Sequence, residues 1–69
     1  MPLALFERGT PGAIKRISGP DETKKRLETM GFTVGSEVTV VSMFGGNLIV
    51  NIKDVRVAIS KEIANRIFI

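Results

Sequence analysis

Apolar positions recur with a period of two through most of the second half of this chain, the signature of half-buried strands. In Glu37–Met43, Val38 and Val40 share one face while Val41 and Met43 take the other, so both faces are expected to be partly covered. Phe44-Gly45-Gly46-Asn47 reads as a hairpin connection, because Gly-Gly is a strong short-range turn signal. Leu48, Val50 and Ile52 then alternate with Ile49, Asn51 and Lys53; Asp54 marks a tight reversal; Val55, Val57 and Ile59 alternate with Arg56, Ala58 and Ser60. Three successive strands of this kind form a meander. Ser60 is placed to cap one helical turn through Ala64, and Arg66–Ile69 is a last strand with Ile67 and Ile69 on one face.

The first half has a different rhythm. Leu3, Leu5 and Phe6 precede a Gly/Pro cluster, Arg8–Gly12, and are expected to fold back as an apolar lid or short turn. Ala13–Ser18 reads as a strand whose two isoleucines, Ile14 and Ile17, are out of phase; a bulge near Lys15 would bring both inside. Ser18-Gly19-Pro20-Asp21 matches a capping box with proline in the first turn. The helix that follows, over roughly residues 20–30, carries a narrow apolar stripe of Thr23, Leu27 and Met30, with Met30 expected in the core. Gly31 is placed as a left-handed C′ residue, which makes Leu27 and Phe32 the apolar pair of a Schellman ending. Residues 27–35 are thus the hinge between a charged helix and a β-rich half.

Five short strands, one helix after the first strand and a helical turn before the last describe a mainly β fold, a small and strongly bent antiparallel barrel. Closing it would remove the exposed edges of a flat sheet. At 69 residues it is expected to be a single domain, 1–69, near the lower size limit for a self-supporting core. With 43% hydrophobic but only 6% aromatic residues, that core must be aliphatic.

Composition narrows the chemistry. There is no cysteine or histidine, hence no disulfide framework, no Cys/His zinc site and no imidazole base. The seven carboxylates show no recognisable ligand spacing, and adjacent Asp21 and Glu22 point apart on a helix. Gly45-Gly46 lacks the spacing of a phosphate loop. The expectation is a chain that binds rather than catalyses: no enzyme, no cofactor, no metal. The N-terminus has no basic region before its apolar residues and is charged again at Glu7, and no run approaches a membrane span, so a soluble cytoplasmic chain is expected. A net charge of +3 and a pI near 9.8 favour an acidic partner only weakly. Lys24-Lys25-Arg26 is either a solvated helix face balanced by Asp21 and Glu22 or a docking patch for an acidic surface.

Gly9, Gly12, Ile14 and Ile17, then Leu27-x-x-Met30-Gly31-Phe32-x-x-Gly35, the Val38/Val40 strand, the glycine hairpin, Val57-Ala58-Ile59 and Ala64-x-x-Ile67 together resemble the FeoA family. These are small SH3-like cytoplasmic accessory proteins of bacterial ferrous-iron transport. The resemblance covers nearly the whole chain, and its most specific part is the segment from Leu27 to Gly35. Two places differ from the usual pattern: Gly45-Gly46-Asn47 stands where Gly-Asp-Pro is frequent, and Ser60 where an arginine is frequent.

The resemblance implies an SH3-like barrel that associates with FeoB, the membrane transporter with a cytosolic GTP-binding part, and supports or regulates it by protein contact. The alternative is a small nucleic-acid-binding barrel of the Sm-like or translation-factor kind, against which stands the lack of Tyr and Trp for stacking. For the contact surface the candidates are Lys24, Lys25 and Arg26 if the partner is acidic, and Met43, Phe44 and Leu48 if the hairpin presents an apolar patch. Met43 and Leu48 equally suit core packing. Phe44, beside two glycines, is the better candidate.

Overall fold

The computed structural model describes all 69 residues. A 3₁₀ turn, Leu3–Leu5, leads into β1 (Gly12–Ala13) and β2 (Arg16–Ile17), followed by α1 (Asp21–Thr29). The meander is β3 (Glu37–Phe44), β4 (Asn47–Ile52) and β5 (Val55–Ser60), and the chain ends with α2 (Lys61–Ala64) and β6 (Ile67–Phe68). The strands form an antiparallel four-stranded sheet, β1-β3-β4-β5, and a two-stranded sheet, β2-β6. The expected architecture is therefore present, with six strands rather than about five.

The extra strand comes from dividing the first one. Gly12 and Ala13 pair with Val38 and Glu37, whereas Arg16 and Ile17 pair with Phe68 and Ile67. Between them the Ile14 N–H donates to the Ser36 carbonyl at 2.9 Å and the Lys15 N–H to the Phe68 carbonyl at 2.7 Å. The chain thus changes sheets at this corner, and the phase shift between Ile14 and Ile17 marks the crossing, not a bulge within one strand. Ile14 is buried and Ile17 half-buried.

A bulge does occur, in β3. Pairing runs Val38↔Ile52, Thr39↔Asn51 and Val40↔Val50, then resumes at Ser42↔Ile49, so Val41 is the extra residue. Beyond it the faces exchange. Met43 stands opposite the buried Leu48 and Phe44 opposite Asn47. Met43 therefore shares the side of Val38 and Val40 instead of the opposite one, since directly paired residues project to the same face.

The two hairpins are tight. Gly45 has φ 59°, and at the β4–β5 turn both Lys53 (φ 49°) and Asp54 (φ 64°) are left-handed, the conformation of a type I′ turn. Ser60 caps α2 as expected, its Oγ accepting the Ile63 N–H at 3.1 Å.

The end of α1 closes as a Schellman motif. The Phe32 N–H donates to the Leu27 carbonyl at 2.9 Å and the Gly31 N–H to the Glu28 carbonyl at 2.9 Å, with Gly31 at φ 102°. The start of the helix departs from expectation. Pro20 is the N-cap and no side chain caps it, because the Ser18 N–H is bound to the Arg66 carbonyl at 2.8 Å, which holds Ser18 to the β2-β6 ladder. Asp21 and Glu22 in the first turn complement the helix dipole instead. Met30 also departs. It is the C-cap and stays 36% exposed, leaving Leu27 as the only buried residue of α1.

Thirteen apolar residues form the core and no polar or charged residue is buried. Leu3 and Ala4 of the 3₁₀ turn belong to it, although Leu5 projects outward. The termini lie side by side: the Ile69 N–H donates to the Met1 carbonyl at 2.8 Å, and the Met1 ammonium to the Ile69 carbonyl at 3.1 Å. The barrel does not close by hydrogen bonds. β5 is an edge of its sheet, contrary to the expectation of a barrel without edges.

Candidate docking surfaces

The basic run on α1 does not form one patch. Successive residues on a helix are about 100° apart, so Lys24, Lys25 and Arg26 fan around the axis. Lys24 is half-buried; Lys25 and Arg26 are exposed. Arg26 lies on the wall shared with Thr23, Leu27 and Met30, and is the one member of the run that borders the groove between α1 and β5.

The hairpin tip also separates its candidates. Leu48 is fully buried and presents no side chain to a partner. Met43, 39% exposed, lies at the rim on the core side, while Phe44, 62% exposed, projects on the outer face diagonal to Ile49. Ile49 pairs with exposed Ala58, so Phe44, Ile49 and Ala58 make a small apolar area on the outer face of the meander. Phe44 is the one large exposed side chain in it.

Two depressions complete the surface. A trough of about 670 Å³ at the other end of the sheet is lined by Ser36, Glu37, Thr39, Asn51, Lys53, Asp54 and Arg56, with no apolar residue. Arg56 Nε donates to Asn51 Oδ1 at 3.2 Å across its floor. Two cations, two carboxylates and no apolar anchor describe a solvated face. The second depression is a groove of about 230 Å³ between α1 and β5, bounded by Thr23, Arg26, Leu27 and Met30 on one side and Ala58, Ile59, Ser60 and Ile63 on the other. It is mostly apolar, and Arg26 is its only charged residue. Sequence reasoning missed this groove. The available signal was the thinness of the helix stripe, three residues with a threonine among them, too narrow to seal α1 onto the sheet.

No three carboxylates come together as a ligand group, and no buried side-chain polar atom lacks a partner. No helix is long and apolar enough to cross a membrane.

Comparison with known proteins accounts for the pattern. A sequence model of the FeoA domain matches residues 1–69. A protein of Methanocaldococcus jannaschii assigned as an Fe(2+) transport protein A is 29% identical over 99% of this chain and 83% of its own length. Among solved structures, an iron uptake regulatory protein (FeoA) is 32% identical, with a TM-score of 0.86 over 96% of this chain and 88% of that one. The FeoA of Stenotrophomonas maltophilia, solved with zinc and described as an SH3-domain protein, is 26% identical with a TM-score of 0.84, over 99% of this chain and 87% of its own. From its first residue to its last, this chain belongs to the FeoA family and has its SH3-like fold.

Proposed function

We propose that the chain is a non-enzymatic accessory protein of ferrous-iron transport, acting in the cytoplasm by docking on the GTP-binding part of a FeoB-type membrane transporter and supporting or regulating it. The observation that carries this reading is the match of the whole chain to the FeoA domain. Relatives named for Fe(2+) transport and iron uptake support it. The geometry is in keeping with it: a core of apolar side chains, no clustered ligands, and a surface whose notable features are an apolar groove, an exposed aromatic and scattered cations. Such a surface suits protein contact better than phosphate-backbone binding, which needs Lys and Arg gathered on one face.

A pull-down with the transporter's cytosolic GTP-binding part, repeated over a salt series and in each nucleotide state, tests the proposal. Binding at low salt in at least one nucleotide state is the expected result. Absence of binding in every state overturns it.

A further inference from the structure

The β5 edge is long and regular, with Arg56 its one charged residue. Natural sheets blunt such edges with prolines, lysines, bulges or very short strands. The opposite edge, β1, is only two residues long, whereas β5 runs six residues in unbroken register with β4 and contains no proline.

The register shows which groups are free. A two-residue turn joins β4 to β5, so Ile52 and Val55 form a hydrogen-bonded pair, as do Val50 with Val57 and Leu48 with Ile59. The N–H and C=O groups of Arg56 and Ala58, and the N–H of Ser60, therefore point away from β4. The turn, loop and cap hydrogen bonds of the chain supply no partner for them. Arg56 and Ala58 are both exposed.

The groove beside this edge continues the same site. A strand laid antiparallel or parallel along β5 alternates its side chains. On one side they meet Leu27, Met30, Ile59 and Ile63 in the groove. On the other they pass over Ala58, next to Ile49 and Phe44. The free backbone groups call for another extended backbone, and the apolar groove calls for an apolar side chain. Arg26 is the only charge in the groove and makes no side-chain hydrogen bond, so it favours a carboxylate. We infer that the docking site is the β5 edge together with the α1–β5 groove, and that its occupant is an extended segment of the partner, pairing with β5, seating one apolar side chain in the groove and setting an acidic residue against Arg26.

This inference rests on the proposed docking to the transporter, and its test separates the two. Amide hydrogen exchange of the wild-type chain, alone and with the transporter's cytosolic GTP-binding part, reads the edge directly. Added-strand pairing slows exchange at Arg56, Ala58 and Ser60 on binding. Two variants read the same surface by affinity. Ala58→Pro removes an outward N–H without touching the β4 ladder, and Arg26→Glu reverses the groove's charge. Each is expected to weaken binding by about tenfold or more, the equivalent of one hydrogen bond with its close contact.

If the partner binds while these amides keep their free exchange rates, the edge assignment is overturned and the proposed function stands. If wild-type chain shows no binding, both fall. If the chain alone protects the same amides as its concentration rises, the edge belongs to a second copy, and the assignment to the transporter is overturned. The exchange measurement does not depend on either variant folding.

Discussion

The Phe32 N–H reaches back to the Leu27 carbonyl at 2.9 Å, and both side chains enter the core from this one helix end. That bond requires the intervening Gly31 to hold φ 102°. A Cβ at Gly31 would meet only Lys53 Cδ at 3.6 Å and Ile52 Cγ1 at 3.7 Å, which is ordinary contact. The constraint is therefore in the backbone. Gly31→Ala should destabilise the domain by about 1–2 kcal/mol, the cost of a left-handed conformation for a residue with a Cβ. Gly31→Val should cost more, because β-branching is least compatible with positive φ. Urea denaturation checks the order, Val below Ala below wild type. A valine variant that unfolds with the parent would show that the helix end has another way to close.

Gly12 is constrained by space. Its Cβ would lie 2.6 Å from Ile69 Cγ2 and 2.9 Å from Phe6 Cε2, where β1 crosses beneath the paired termini. Gly12→Ala should cost about 1–3 kcal/mol through overpacking, read as a lowered melting temperature. Trimming Ile69 to alanine in the same chain should recover part of that loss, since the shorter side chain leaves room. If the double variant loses as much as the two single changes added together, the clash is not between these residues.

The strand meander was legible from the sequence because Val38, Val40, Leu48, Val50, Ile52 and Ile59 repeat at the period that one buried face imposes. The Schellman ending was legible for the same local reason: Leu27, Gly31 and Phe32 stand at fixed offsets. Where neighbours distant in sequence decide, the pattern fails. The Arg66 carbonyl takes the Ser18 N–H and keeps that residue on the sheet, so its capping motif is not used. The bulge at Val41 depends on the pairing of β4 and reverses the face assigned to Met43. The candidate surface was less legible than the fold. Leu48 and Phe44 both read as hairpin apolar residues, and only strand register separates the buried one from the exposed one.

That separation is measurable. Leu48→Ala should cost about 2–5 kcal/mol by opening a cavity in the apolar core. Phe44→Ala, at a side chain 62% exposed, should leave the melting temperature nearly unchanged while weakening binding to the transporter's GTP-binding part. Thermal unfolding monitored by circular dichroism, with titration calorimetry of the binding, distinguishes the two. A large stability loss at Phe44 would place it in the core; unchanged affinity would remove the outer apolar area from the contact surface.

The β4–β5 turn is the place where the chain can be made more stable. Lys53 and Asp54 both hold positive φ, 49° and 64°, without being glycine. Type I′ turns favour Asn-Gly at these two positions, since asparagine tolerates the left-handed region and glycine meets no Cβ clash there. Relief at each position, at most about 1–2 kcal/mol, is offset by the extra freedom that glycine gives the unfolded chain, about 0.4–1 kcal/mol. The Lys53→Asn, Asp54→Gly chain should therefore gain about 1 kcal/mol. For a domain of this size that raises the melting temperature by about 4–8 °C. Both side chains are exposed, and neither belongs to the β5 edge or the α1–β5 groove. Partner affinity should stay as it is while stability rises; a fall in affinity would move the contact surface toward this turn.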